Sequence, residues 1–160
     1  MGQWQLKHRC LAAVLLLWLL CATAYSADDT VVMIAHPGIT QGSIHKDRLR
    51  AIFAMRETRW PDNSPIRVFV LPDQHPVHRQ FCKNPLSIYP FILRRHWDRL
   101  TFTGTGPMPA LVNSQADMLK KVSQTPGSLG YVHKSMTATT DAVKVLTITQ
   151  TWRAQGDQQP

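Results

Sequence analysis

Acid is scarce in this chain: Asp and Glu number 10 against 18 Lys and Arg in 160 residues, giving a formal net charge of +8 with histidine neutral. So few carboxylates leave no obvious pair for acid–base hydrolysis. No Gly-x-Ser-x-Gly elbow and no His-Glu-x-x-His helix occurs either, so an enzyme is not expected. Cysteine is scarcer still, confined to Cys10, Cys21 and Cys82. No apolar run reaches the roughly 20 residues needed to cross a bilayer as a helix. The basic residues are scattered apart from Arg94-Arg95-His96 with Arg99, and no basic strand is interleaved with aromatics. A nucleic-acid partner is therefore not expected.

The longest apolar run, Leu11 to Leu20, follows Lys7 and Arg9 and precedes the small residues Ala22, Ala24, Ser26 and Ala27. A short basic segment, an apolar stretch and a small-residue cleavage region make a signal peptide over residues 1–26, with the mature chain expected to be exported. Residues 27–160 are then one domain with one hydrophobic core, whose polar tail from about residue 153 frays. Losing Lys7 and Arg9 takes the net charge from +8 to +6, enough to attract anions at long range without naming one. Cys82 is left without a partner in the chain. It lies in the helix-like stretch Val77 to Cys82, where a thiol is expected to serve as buried packing.

Strand and helix patterns alternate. Thr30 to Ala35 is a continuous β-branched and apolar run, as in a strand covered on both faces, and Ile66 to Leu71 repeats the pattern. Leu49, Ile52 and Phe53 fall at i, i+3 and i+4 and give a helix near 45–55 an apolar face. A second helical stretch starts at Pro76. A longer one is expected with Ser87 as N-cap, Pro90 in its first turn and Tyr89, Leu93, Trp97 and Leu100 as a core stripe. Ser114-x-x-Asp117 opens a last helix through Met118 and Val122, which Pro126-Gly127 stops. Leu129 to Val132 and Ala142 to Ile148 supply the final strands. The fold class is α/β, a sheet with helices on its faces.

In such sheets ligands bind beyond strand ends and at helix N-termini. Two loops qualify. Pro72 to Arg79 leaves a strand and enters a helix, offering Asp73, His75, His78 and Arg79. Thr103-Gly104-Thr105-Gly106 combines free-turning glycines with threonine hydroxyls that suit an anion, though Gly104 equally fits a helix C-cap. If an anion binds, Arg79 and the Thr103–Gly106 loop are expected to converge on it near Asp73. His75 and His78 lack the further ligands of a zinc or copper site, so neither metal nor cofactor is expected.

Two separated segments carry a family resemblance. His45 to Phe53 leads into Thr58-Arg59-Trp60-Pro61-Asp62, and Thr125-Pro126-Gly127-Ser128-Leu129-Gly130-Tyr131-Val132 comes much later. Together they resemble the periplasmic substrate-binding proteins of phosphate ABC transporters, over roughly Val31 to Val132. The resemblance implies a single lobe of the type II periplasmic-binding-protein fold and, by association, phosphate uptake. It also implies an anion-gripping loop after Val68-Phe69-Val70 that carries an arginine, an aspartate and a Ser-Gly-Thr turn. Here Leu71 stands for the arginine, Asp73 matches the aspartate and His75-Pro76 replaces Ser-Gly. The expected role is an exported module that binds a small anion such as phosphate weakly; the alternative is an interaction or sensory module partnering a membrane transporter or sensor protein.

Overall fold

The structure, a computed structural model, describes residues 30–138 and 140–150. The leader expected over residues 1–26, with Cys10 and Cys21, and the tail from about residue 153 lie outside the described residues. Six strands form one mixed sheet: β1 (Val31–Ala35), β2 (Ser43–His45), β3 (Arg67–Val70), β4 (Ala110–Leu111), β5 (Ser128–His133) and β6 (Lys144–Thr149), ordered β2-β6-β1-β5-β3-β4. β1 runs antiparallel to both of its neighbours, while the β2–β6, β5–β3 and β3–β4 pairs are parallel. The four strands expected from sequence occupy the middle of this sheet. The two at its edges have three and two residues, too few for any alternation to register.

Four α-helices cover the sheet: α1 (Lys46–Phe53), α2 (Pro76–Phe81), α3 (Pro90–Thr103) and α4 (Gln115–Gln124). The α1 start is fixed by His45, whose Nδ1 accepts from the Asp47 N–H, and by the Asp47 carboxylate in the first turn. Its apolar positions Leu49, Ile52 and Phe53 are all buried, as their spacing requires. At α4 the Ser114 hydroxyl accepts from the Asp117 N–H at 3.1 Å, the expected cap. On β5, a side chain built at Gly130 would meet Met118 and Val122 of α4, whereas the Tyr131 ring touches Phe53 and Phe81. Successive strand residues point to opposite faces, so α4 covers one face of the sheet and the residues of α1 and α2 cover the other.

The start of α3 departs from the sequence expectation. Ser87 takes φ 51° at the end of a π-helical turn, Cys82–Leu86, that prolongs α2; the N-cap is Tyr89, with Pro90 as first helical residue. Tyr89 accordingly leaves the core stripe. It is 67% exposed, while Leu93 and Trp97 are 2% and 0% exposed.

The two segments that carried the family resemblance meet in space. Trp60 Nε1–H donates to the Gly127 carbonyl at 3.0 Å, and Gly127 itself adopts φ 75°. A Cβ at that position would come within 2.4 Å of the Pro65 carbonyl oxygen, so only glycine fits. Gly127→Ala should therefore cost roughly 2 kcal/mol or more, combining left-handed strain with a backbone clash. A urea titration checks this, and an unshifted midpoint would contradict it.

Candidate functional site

The expected ligand loop leaves the carboxyl end of β3. Leu71 is buried, and its N–H donates to the Tyr131 hydroxyl at 2.9 Å. Pro72 then turns the chain, its carbonyl accepting from the His75 N–H at 2.8 Å. His75 is the N-cap of α2: its Nδ1 accepts from the Val77 N–H at 3.2 Å, and Pro76 in the first turn has no N–H to offer. Desolvation, aided by the charge of His133, lowers the pKa of His75.

Asp73 is held from α3. Arg94 donates Nε–H to Oδ2 at 2.9 Å and Nη2–H to Oδ1 at 2.8 Å, a two-point pairing, while its guanidinium lies 5.2 Å from the Trp97 ring centroid. The hydrogen bonds from Arg94 keep the Asp73 carboxyl below its ordinary range against the opposing effect of burial, and Asp73 in turn raises the Arg94 pKa.

His78 faces inward from the same helix and is 0% exposed. Its Nδ1 lies 2.5 Å from the Tyr131 hydroxyl, which already accepts from Leu71 and has one proton to give. Tyr131 therefore donates to Nδ1, and the ring proton sits on Nε2, 3.5 Å from Cys82 Sγ and 3.9 Å from Asp73 Oδ1. Desolvation drives the His78 pKa down to about 4, with Asp73 opposing, so the ring is neutral at pH 7. Burial likewise pushes the Cys82 thiol up to about 12 and raises Tyr131. A sealed imidazole, an un-ionised thiol and a protonated phenol form a closed polar core. They cannot reach a substrate, and Cys82 is packing, as its sequence context indicates.

The remaining expected donors lie apart. Arg79 is exposed on α2, although His78 beside it is fully buried. The sequence reading turns the N–H groups of Thr103–Gly106 toward a ligand; the structure gives two of them to α3 instead. Gly104, at φ 64°, is the C-cap, and its N–H donates to Thr101 O while the Thr105 N–H donates to Leu100 O. Thr103 Oγ1 donates back to Arg99 O at 2.8 Å and shares a hydrogen bond with Thr105 Oγ1. Gly106 packs beside the Leu100 side chain. This loop starts nine residues beyond Arg94, about 13 Å along the helix axis. Among the described residues, no group of three or more His, Cys, Asp and Glu is placed to hold a metal.

Arg94 is the residue that sequence reasoning missed. It adjoins the buried Leu93 on the flank of the Trp97 stripe, a position from which a long side chain reaches over the core edge, and that register was the available signal. At the same end of the sheet a cleft of about 510 Å³ lies between Val31 of β1, Ile148 of β6 and the flanking Thr30 and Gln150 on one side and Gln80, Asn84 and Pro85 of α2 and its π-helical extension on the other. Its polar lining is mostly amide, with no charged group.

No family model matches this chain, and a search of curated proteins gives no significant match. Solved structures do match. A protein from Clostridium perfringens described as a phosphate ABC transporter substrate-binding protein, with phosphate bound, aligns at TM-score 0.58 and 14% identity, over 75% of this chain and 45% of that one. An ABC-type phosphate transport receptor from Vibrio cholerae gives 0.57 and 13%, over 75% and 46%. PstS from Borrelia burgdorferi gives 0.57 and 14%, over 78% and 49%. The fold is that of one lobe of phosphate-binding proteins, and the chain spans about half the length of those structures.

Proposed function

We propose that this chain is an exported, one-lobe recognition module on the phosphate-receptor fold, which docks on a membrane transporter or sensor protein and holds phosphate-like anions only weakly. The observation that supports this reading is the Asp73–Arg94 pair, in which the strand-end arginine is already neutralised by the chain's own carboxylate. The other donors are also engaged. Leu71 has an apolar side chain, Pro76 has no N–H, and the Val77 N–H is capped by His75. An anion entering here would lose hydration without regaining enough hydrogen bonds. A substrate-receptor clamshell needs a second lobe, and the described residues form one. The partly exposed groups of the loop are already engaged, His75 in capping α2 and Asp73 in pairing with Arg94, which argues against catalysis.

Weak anion binding is the second part of this reading, favoured by the fold and by exposed Arg79 beside the Asp73–His75 loop. Titration calorimetry with inorganic phosphate should give a dissociation constant no tighter than the micromolar to millimolar range, about −8 to −4 kcal/mol. Asp73→Ala frees the Arg94 guanidinium and should tighten phosphate binding by about tenfold, the worth of one charge-assisted hydrogen bond. Arg79→Ala should weaken the residual binding while shifting stability by no more than about 0.5 kcal/mol. Nanomolar phosphate binding by the unaltered chain would sink the proposal and make this a phosphate receptor.

A further inference from the structure

The outward face of α3 carries aromatic side chains that the core does not use. Leu93 and Trp97 point inward, yet Phe91 is 59% exposed, Ile92 48% and Phe102 90%. Between them Arg95 and Arg99 are also exposed, and neither makes an ion pair among the described residues. At 3.6 residues per turn these five positions fall within an arc of about 100° and extend about 16 Å along the axis. Tyr89, just before the helix, stacks on Phe91 with ring centroids 5.9 Å apart and adds to the same end. The nearest acid on the helix, Asp98, lies at the edge of the stripe one turn from Arg94. The face is therefore cationic in the middle and aromatic at both ends.

We propose that this face of α3 docks on an anionic phospholipid bilayer. Charge complementarity is the first argument: two unpaired guanidinium groups, in a chain whose net charge falls from +8 to +6 once Lys7 and Arg9 leave with the leader, meet lipid phosphates. The second is the chemistry of the flanking groups. A tyrosine ring settles at the level of lipid headgroups, dry at one end and wet at the other, and phenylalanine on an amphipathic helix enters the boundary between headgroups and acyl chains. The third is size. Five side chains on a convex helix fall far short of the roughly 20–30 residues a side of a stable protein interface, whereas a bilayer moulds itself to a single helix. The proposal does not depend on the anion loop, which lies at Asp73 and is untouched by the variants below.

The experiment is co-sedimentation of the chain without its expected leader, residues 27–160, which keep every described strand and helix, with vesicles of phosphatidylglycerol and phosphatidylcholine in equal parts, against vesicles of phosphatidylcholine alone. Binding is expected to the anionic vesicles and to weaken with salt. Arg95→Gln with Arg99→Gln should lower the partition coefficient by roughly thirtyfold, from about 1 kcal/mol for each basic residue near the surface. Phe91→Ser with Phe102→Ser should lower it on the same vesicles. Lys120→Gln with Lys121→Gln removes equal charge from the exposed side of α4 and should leave binding within about twofold; circular dichroism confirms that every variant is folded. Equal losses from the α3 and α4 charge variants would overturn the proposal, as would failure to bind anionic vesicles. Retention on polyglutamate that ignores Phe91 and Phe102, without vesicle binding, would assign the face to an acidic protein and overturn it equally.

Discussion

Trp97→Ala will lower the free energy of unfolding by roughly 3–5 kcal/mol, the cost of emptying a large aromatic site in a core that only partly collapses around it. Trp97 is fully buried, and its Nε1–H donates to the Phe53 carbonyl at 2.8 Å, joining α3 to the last residue of α1. The change removes packing and a buried hydrogen bond together. It also takes away the ring on which Arg94 rests, so the Asp73 pairing loosens. Trp97→Phe separates these effects: it keeps most of the apolar volume and loses the hydrogen bond, for an expected cost of about 1–2 kcal/mol beyond the smaller ring. Urea denaturation followed by circular dichroism measures both. A loss below about 1 kcal/mol for Trp97→Ala would mean that α3 is not anchored as described.

The difference between what the sequence did and did not disclose lies in the range of the forces involved. Leu49, Ile52 and Phe53, or the cap at Ser114, are set by neighbours within four residues, so periodicity and side-chain chemistry suffice to place them. The α3 start failed for a local reason. Ser87 is a good N-cap by type, but the π turn before it puts Ser87 in a left-handed conformation and passes the role to Tyr89, whose place is fixed by Pro90. That one shift turned Tyr89 from a core residue into an exposed one. The loop at Asp73 was legible as a strand-to-helix junction, yet its arginine comes from 21 residues downstream on another helix. Both Arg79 and Arg94 satisfy the same sequence requirement, a cation on a helix near a strand end, and only packing selects between them. Gly104 shows the converse. Glycine at a helix end is ambiguous between cap and anion nest until the acceptors of its N–H and its neighbour's are known.

The same buried network makes stability sensitive to acid through His78. Its pKa is about 4 in the folded chain, against an ordinary value of 6.5 in the unfolded one. Between those values the unfolded state carries the proton and the folded state does not, so stability rises with pH across the window. The stabilisation is complete above pH 6.5 and falls as the solution is acidified toward pH 4. At 1.36 kcal/mol per pKa unit the full loss is about 3 kcal/mol. Desolvation is the largest cause; Asp73 alone opposes it by favouring protonation, while Arg94 and His75 resist protonation and add to it. Asp73 itself, held low by Arg94, adds a loss of the same sign only at more acid pH, as its carboxylate titrates. His78→Phe should therefore be less stable than the unaltered chain at pH 7, because the Tyr131 hydroxyl loses its acceptor, yet lose much less on going to pH 4.5. A residual slope from His75, whose pKa is also lowered, remains in both. Urea midpoints at pH 7 and 4.5 for the two proteins decide the matter. Parallel decreases would show that His78 is not the group whose burial resists protonation.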